Sequence, residues 1–234
     1  MIENLYPEIA NAGSLAKALD KQFETIKSSL RCTIDHNRDR PPFSYARVEN
    51  NKRVSQVYLA ADEKLYLSDF WRDGVCLAYG QTSSIDKLTE ILNYWLSSDA
   101  TTELLQDKFK FIKVSEKAKA FDDNNEVEYT WNSILNDSSR TEIRSFVELA
   151  IIDNVLSKLF PFTSLMRLCF SRCTGYPYTF DTPMVIPVSE NIYEVRLSNN
   201  DIVGIGTATD ALKMVKENLP LDIQPAIVGT AKDL

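Results

Sequence analysis

The sequence is nearly devoid of histidine, with a single one, His36, in 234 residues. A Ser–His or Cys–His catalytic pair needs an imidazole held beside the nucleophile, and His36 lies in a stretch of charged residues, 35–40. Metal sites built from two or three histidines are excluded outright. We therefore expect no catalytic residues in this chain.

Cysteine is also scarce, with four residues: Cys32, Cys76, Cys169 and Cys173. A chain of this length buries enough surface to fold without disulfides, so we expect free thiols. The alternative is a zinc site that combines Cys32-x-x-x-His36 with Cys169-x-x-x-Cys173. This spacing permits zinc but is not specific for it. We predict neither a metal nor another cofactor.

Long apolar runs and excess positive charge are missing as well. No stretch approaches the roughly 20 apolar residues of a membrane span. The N-terminus carries no Lys or Arg before Lys17, so we expect no secretory leader and a cytoplasmic location. Acidic residues outnumber basic ones by 33 to 26, a net charge of −7. Nucleic-acid binding needs a basic surface, whereas this balance suits a basic protein partner.

The first half of the sequence predicts helices around two strand pairs. Apolar residues at spacings of three and four indicate a helix at 14–30, and Asn50-Asn51 indicates a hairpin between 43–49 and 53–60. We expect a second strand pair, 65–68 and 75–79, joined by a loop at 69–74. A helix at 84–96 follows, with Ser83 and Asp86 as its capping box.

The second half predicts a similar series after a polar middle segment. A capping box at Ser139 and Glu142 begins a helix that ends near Phe160, because Pro161 disfavours helical backbone before it. A strand at 165–172, a long irregular loop at 173–183 and two strands at 192–197 and 202–206 follow. Thr207 and Asp210 cap the last helix, 209–219.

Together these patterns predict an α+β fold of two similar α-β-β-β-β-α halves, with antiparallel sheets and helices packed on one face. The boundaries are 1–98 for the N-terminal half, 99–138 for a partly helical connector and 139–234 for the C-terminal half. An offset of 124 pairs Gly80 with Gly204, Ser83 with Thr207 and Asp86 with Asp210. An internal duplication and convergent helix capping both explain this offset.

Several short motifs resemble a known family over nearly the whole chain. In the second half they are Leu159-Phe160-Pro161-Phe162, Thr174-Gly175-Tyr176-Pro177-Tyr178, Gly206-Thr207-Ala208-Thr209-Asp210, and the tail Pro225 to Leu234. In the first half they include Leu5-Tyr6-Pro7 and Ala12-Gly13-Ser14-Leu15. The chain resembles a bacterial family of unknown function, loosely labelled "natural product biosynthesis protein". This resemblance implies no catalytic residues.

Two segments are candidates for a partner-binding surface. The loop 172–181 carries Arg172, Tyr176, Tyr178 and Asp181, and Tyr and Arg are enriched at binding hot spots. The alternative is that Tyr176 and Phe180 fold back onto the core. The segment with Trp71 and Arg72 is the second candidate, and its alternative is a half-buried Trp71 that covers the hairpin.

We therefore expect a non-catalytic binding protein, most concretely an immunity or antitoxin protein that neutralises a toxin partner by direct binding. The alternative, which the family label motivates, is an accessory or tailoring enzyme in natural-product biosynthesis. Such an enzyme would have a deep pocket that holds Arg167, Arg172, Tyr176 and Asp181. A structural assembly subunit is a third possibility, and the sequence leaves the oligomeric state open.

Overall fold

The computed structural model describes residues 2–33 and 43–234 and shows an α+β protein with two antiparallel sheets. The chain divides into two compact units, one ending at Asp122 and the other beginning at Asp123. The predicted fold class is confirmed. None of the helices in the described part of the chain is long and apolar enough to cross a membrane.

The first unit surrounds a six-stranded sheet in which each strand pairs with the next, in the order β1 to β6. Its elements are α1 (Ile2–Leu5), α2 (Pro7–Ala12), α3 (Leu15–Thr25), β1 (Cys32–Thr33), β2 (Tyr45–Asn50), β3 (Arg53–Leu59), β4 (Tyr66–Arg72), β5 (Val75–Thr82), α4 (Ile85–Ser97), α5 (Thr102–Lys108), β6 (Ile112–Val114) and α6 (Ala118–Asp122).

Helix α4 covers the inner face of this sheet. Phe70 of β4 meets the Trp95 ring edge-on at 6.2 Å, and both side chains are fully buried. Arg53 of β3 is buried with its guanidinium 4.0 Å from the Trp95 ring centroid. Its Nη1 and Nη2 donate to the carbonyls of Trp95 and Ala100. The guanidinium therefore satisfies carbonyls near the C-terminal end of α4, where a cation is favoured.

Two helix boundaries differ from the prediction. The side chain of Ser84, and not that of Ser83, caps α4 by accepting a hydrogen bond from the backbone N–H of Lys87. Helix α3 begins after Ser14, as predicted, but ends at Thr25 and not at Leu30. Lys27 has a φ of 58°, a left-handed conformation that ends helices.

The predicted loop at 69–74 is wrong, because β4 runs on through Arg72. Only Asp73 and Gly74 form the turn to β5, with φ values of 51° and 78°. An Asp-Gly pair with two positive φ angles is the preferred two-residue turn of a tight hairpin. Trp71 and Arg72 are therefore strand residues.

The second unit contains a five-stranded sheet in the order β11-β10-β9-β8-β7. Its elements are α7 (Glu126–Asn136), a 3₁₀ turn (Thr141–Ile143), α8 (Arg144–Ala150), a second 3₁₀ turn (Leu156–Lys158), β7 (Phe160–Ser164), β8 (Arg167–Ser171), β9 (Met184–Ser189), β10 (Ile192–Arg196), β11 (Ile202–Thr207) and α9 (Ala208–Glu217). Trp131, Phe146, Phe170, Tyr193 and Val215 belong to one buried core. The capping box at Thr207 and Asp210 is confirmed.

The predicted long helix that starts at Ser139 is wrong at both ends. The Ser139 hydroxyl donates to the Asp137 carboxylate and caps no helix, and α8 runs only from Arg144 to Ala150. Asp153 accepts hydrogen bonds from the backbone N–H groups of Val155 and Leu156, both at 3.0 Å, and turns the chain. Phe160 then begins strand β7 instead of ending a helix. Strand β9 was not predicted, and it contains Pro187, which cannot donate a ladder hydrogen bond.

The two units repeat one arrangement of a buried tyrosine. Tyr66 is paired with Thr82 on the following strand, and Tyr193 is paired with Gly206, which is 124 residues after Thr82. The Tyr66 hydroxyl donates to the Glu8 carboxylate, and the Tyr193 hydroxyl donates to the Glu142 carbonyl. In each unit the tyrosine thus ties its strand to a short helical segment, α2 in the first unit and the 3₁₀ turn before α8 in the second. This agrees with the predicted similarity of the halves.

Candidate binding surface in the second unit

Strands β7 and β8 place two phenylalanines on the outer face of the sheet. Phe160 lies opposite Ser171, and Phe162 lies opposite Cys169. The alternating residues Leu168 and Phe170 point the other way, into the buried core. Phe160 and Phe162 therefore lie on the face opposite α8 and α9.

The loop 172–181 folds over these two phenylalanines. The Tyr178 ring stacks on Phe162, with centroids 4.4 Å apart, and on Phe160 at 5.6 Å. Tyr176 meets Tyr178 edge-on at 6.0 Å, and Phe180 meets Phe162 edge-on at 5.4 Å. These five rings, Phe160, Phe162, Tyr176, Tyr178 and Phe180, are called the aromatic cluster below.

The cluster is buried at its base and open at its top. Tyr176 is 65% exposed and Phe180 is 58% exposed. Tyr178 is half-buried beneath them, and this burial raises the pKa of its hydroxyl. Tyr176 and Phe180 therefore do not fold back onto the core.

A buried serine holds the loop in this conformation. The Ser171 hydroxyl oxygen accepts hydrogen bonds from the backbone N–H groups of Cys173 at 3.0 Å and Thr179 at 3.2 Å. It donates to the Cys173 carbonyl at 2.8 Å. The Thr179 hydroxyl in turn accepts from the Arg172 N–H at 3.0 Å. Both ends of the loop are thus bonded to the end of β8.

The C-terminal segment supports the loop from a second side. Backbone N–H groups of Thr174 and Gly175 donate to the carbonyls of Ile227 and Gly229, and Ala231 N–H donates to the Pro177 carbonyl. Because these are main-chain bonds at several points along the loop, they restrict its backbone, and Tyr176 is presented by a fixed scaffold.

Arg172 and Asp181 form an ion pair across the base of the loop. The Arg172 Nη2 lies 2.6 Å from the Asp181 Oδ2, and each side chain is about one-third exposed. The Arg172 Nε is buried and has no hydrogen-bond partner among the described residues. Of the predicted binding residues, the structure thus brings Arg172, Tyr176, Tyr178 and Asp181 together on one loop.

The other predicted pair, Trp71 and Arg72, belongs to the first unit. The Arg72 guanidinium pairs with the Asp122 carboxylate at 2.8 Å and donates to the Phe121 carbonyl at 2.9 Å. Trp71 is half-buried, and its carbonyl accepts from the Trp95 indole N–H. Both residues are engaged within their own unit, where they connect β4 to α4 and α6.

The cysteines are free thiols in the structure. Burial raises the pKa of Cys169 to about 11, and burial also raises the pKa of Cys32, so both are protonated at neutral pH. A protonated thiol is a poor nucleophile. In residues 2–33 and 43–234 no group of three or more His, Cys, Asp or Glu side chains is arranged to hold a metal ion. His36 lies outside the described residues.

The sequence prediction missed three residues of this surface: Phe160, Phe162 and Ser171. Phe160 was assigned to a helix end, although the alternation Phe160-x-Phe162 is the period-two pattern of a strand. Ser171 was assigned to a strand without a role. A single serine carries no sequence signal for accepting two backbone hydrogen bonds.

The fold and this surface define the second unit as an α+β domain with an exposed aromatic cluster on a rigid loop. Residues 125–230 match the model of a family described as "Family of unknown function (DUF6193)". The predicted resemblance to a family of unknown function is confirmed for these residues. No curated protein and no solved structure matches the chain.

Proposed function

We propose that this chain is a non-catalytic binding protein that contacts a protein partner through the aromatic cluster. The observation that carries the proposal is the exposure of Tyr176 and Phe180 on a loop whose backbone is fixed by Ser171 and the C-terminal segment. Aromatic residues anchor many protein interfaces, and a loop that is ordered before binding loses less conformational entropy on association.

The charge of the second unit favours a basic partner. It contains fifteen Asp and Glu residues against nine Lys and Arg, whereas the first unit contains eighteen against seventeen. Nearly all of the net charge of −7 therefore belongs to the unit that carries the aromatic cluster. An acidic surface accelerates encounter with a basic protein and disfavours acidic competitors.

The most concrete form of this function is that of an immunity or antitoxin protein, which neutralises a toxin by binding it directly. Such a protein acts through shape and charge and needs no catalytic group of its own. The rigid aromatic loop and the acidic unit support this form of the proposal.

The test is co-expression with the product of the neighbouring gene, followed by co-purification and a growth assay. We expect a complex, and rescue if the product is toxic. Tyr176→Ala and Phe180→Ala should each weaken binding about tenfold or more, since a buried aromatic anchor contributes at least 1–2 kcal/mol. Leu221→Ala is the matched control, because Leu221 is 95% exposed and outside the cluster. No complex and no rescue would argue against the proposal.

The alternative is an accessory or tailoring enzyme in bacterial natural-product biosynthesis, which rests on the label of the resembling family. It requires Arg167 in the same pocket as Arg172 and Asp181. The Arg167 guanidinium instead contacts Met184 and Asn200, and Arg167 lines a cleft with Ser139 and Leu165. This placement favours the binding protein. Turnover of a small molecule that disappears in a folded Arg172→Ala variant would favour the enzyme.

A further inference from the structure

The outer face of the first unit's sheet carries a cleft that the proposed function does not use. Its volume is about 420 Å³, which lies within the range of small-molecule sites. Tyr58, Leu67, Tyr79 and Phe111 provide apolar walls, and Asp69 and Lys113 are charged groups at the cleft.

Strand register explains why these side chains share one face. Asp69 lies opposite Tyr79, and Tyr79 lies opposite Lys113, so the three form a row across β4, β5 and β6. Tyr58 lies opposite Leu67 in the neighbouring row. The alternate residues of β4, such as Phe70, face the buried core. The cleft is therefore built mainly from regular strands, and Phe111 comes from the turn that precedes β6.

Gly80 permits the close approach of β6. A Cβ atom on Gly80 would lie 2.3 Å from the Cδ1 atom of Ile112, its partner in the ladder. A side chain at this position would require the end of the Ile112 side chain to move. The glycine thus leaves room for the Ile112 side chain where β5 pairs with β6, the strand that carries Lys113.

The two charged groups differ in their partners. The Asp69 carboxylate accepts a hydrogen bond from the backbone N–H of Gln56 at 2.9 Å. The side-chain oxygen of Gln56 accepts hydrogen bonds from the hydroxyls of Tyr45 and Tyr58. Lys113 is exposed and forms no ion pair within the described part of the chain. The ammonium is the charged group that remains available to a ligand.

From this geometry we infer that the cleft binds a small planar aromatic anion. The ring of the ligand packs against Tyr79, Leu67 and Phe111, and its carboxylate pairs with the Lys113 ammonium. The Tyr79 side chain, 53% exposed, has apolar surface to bury against such a ring. The volume suits a bicyclic aromatic acid.

The test is a titration of the full chain with 2-naphthoate, 2-naphthamide and 2-naphthylmethylammonium, followed by amide chemical shifts. We expect saturable shifts at residues 79–81 and 111–113 with 2-naphthoate, and a dissociation constant at or below about 1 mM. The neutral amide should bind more weakly, and the cation more weakly still. Tighter binding of the cation, no saturable binding, or shifts centred elsewhere would overturn the inference.

Variants of Lys113 and Tyr79 test the contribution of the ammonium and of the aromatic wall to binding. Lys113→Met should weaken 2-naphthoate binding about threefold to fivefold, as for an exposed ion pair, and leave the amide unchanged. Lys110→Met is the matched control, since Lys110 is exposed and pairs with Asp107. Tyr79→Thr should weaken both ligands about equally. These substitutions are at exposed side chains, and an unchanged unfolding midpoint confirms the fold. Equal binding of 2-naphthoate to wild type and Lys113→Met would refute the predicted ion pair.

Discussion

At the scale of single residues, the presentation of the aromatic cluster depends on Ser171. Its side chain is fully buried, and its hydroxyl oxygen accepts hydrogen bonds from two backbone N–H groups in the protein interior. A buried donor that loses its acceptor costs far more free energy than a solvent-exposed one. The conformation of the loop therefore depends strongly on the Ser171 hydroxyl group.

Ser171→Ala should lower the free energy of unfolding by about 1–3 kcal/mol, because it leaves the amides of Cys173 and Thr179 without an acceptor. Urea unfolding monitored by circular dichroism measures the change. Ser189→Ala is the control, since Ser189 is exposed at the end of β9, and it should stay within about 0.5 kcal/mol of wild type. If the two variants unfold alike, Ser171 does not hold the loop.

Asp153 is a second residue on which the second unit depends. Burial raises the pKa of this carboxyl, but hydrogen bonds from Lys216 at 2.5 Å and from the backbone of Leu156 and Val155 outweigh burial. The net result is a pKa below the ordinary value of 3.8. The ionised group therefore stabilises the fold above pH 3.8, and this stabilisation is lost as the pH falls through the lower folded-state pKa.

Asp153→Asn should lower the free energy of unfolding at pH 7 by about 1–3 kcal/mol, since it removes the charge that pairs with Lys216. The difference from wild type should shrink as the pH falls from about 4 towards 2. Urea titrations across this range measure it. Glu190→Gln, at an exposed turn position, should track wild type at each pH. A difference that is independent of pH would show that the charge of Asp153 is not the cause.

At the scale of elements, the β7–β8 hairpin contains a strained turn. Ser164 pairs with Arg167, so Leu165 and Met166 form a two-residue turn. Leu165 has a φ of 56° and is 87% exposed. A leucine in the left-handed region costs roughly 1 kcal/mol, and here its side chain gains little burial in return.

Leu165→Asn should raise the free energy of unfolding by about 0.5–1 kcal/mol, because asparagine tolerates the left-handed conformation. Thermal and urea unfolding measure the gain. Met166→Asn makes the same change in polarity at the neighbouring position, which does not have a positive φ, and should give no gain. Equal effects of the two substitutions would attribute the result to polarity and not to backbone strain.

At the scale of the whole molecule, the second unit has its own core. Trp131 of α7 is 1% exposed, lies 6.0 Å from the Phe170 ring and donates its indole N–H to the Leu159 carbonyl. Helix α7 falls within the predicted connector 99–138, yet its indole belongs to this core. The core of the second unit therefore requires residues that precede 139.

A fragment of residues 123–234 should fold and unfold cooperatively by itself, since its core residues all come from its own elements. A fragment of residues 139–234 should not, because it leaves a cavity where Trp131 packs. Circular dichroism and urea unfolding compare the two. In the longer fragment Trp131 is the single tryptophan, so its fluorescence reports on the core directly. Equal cooperativity of both fragments would show that α7 is dispensable.

Local chemistry in the sequence was sufficient for part of the fold. The turn at Asn51 and the caps at Ser14 and Thr207 depend on residues a few positions apart, and these patterns also indicated the α+β class. Strand β9 was missed, and the helix that ends at Ala150 was predicted too long. Cross-strand pairing and the Asp153 hydrogen bonds override local propensity at these two places.

The same contrast holds for the candidate surfaces. The sequence by itself determined that Tyr176, Tyr178, Arg172 and Asp181 share one loop, since they are neighbours in the chain. Only the tertiary structure decided that Phe160 and Phe162 lie beneath them, and that Tyr79 and Lys113 line one cleft. Those contacts join residues from different strands, and their register is fixed by the packing of a whole sheet on its helices.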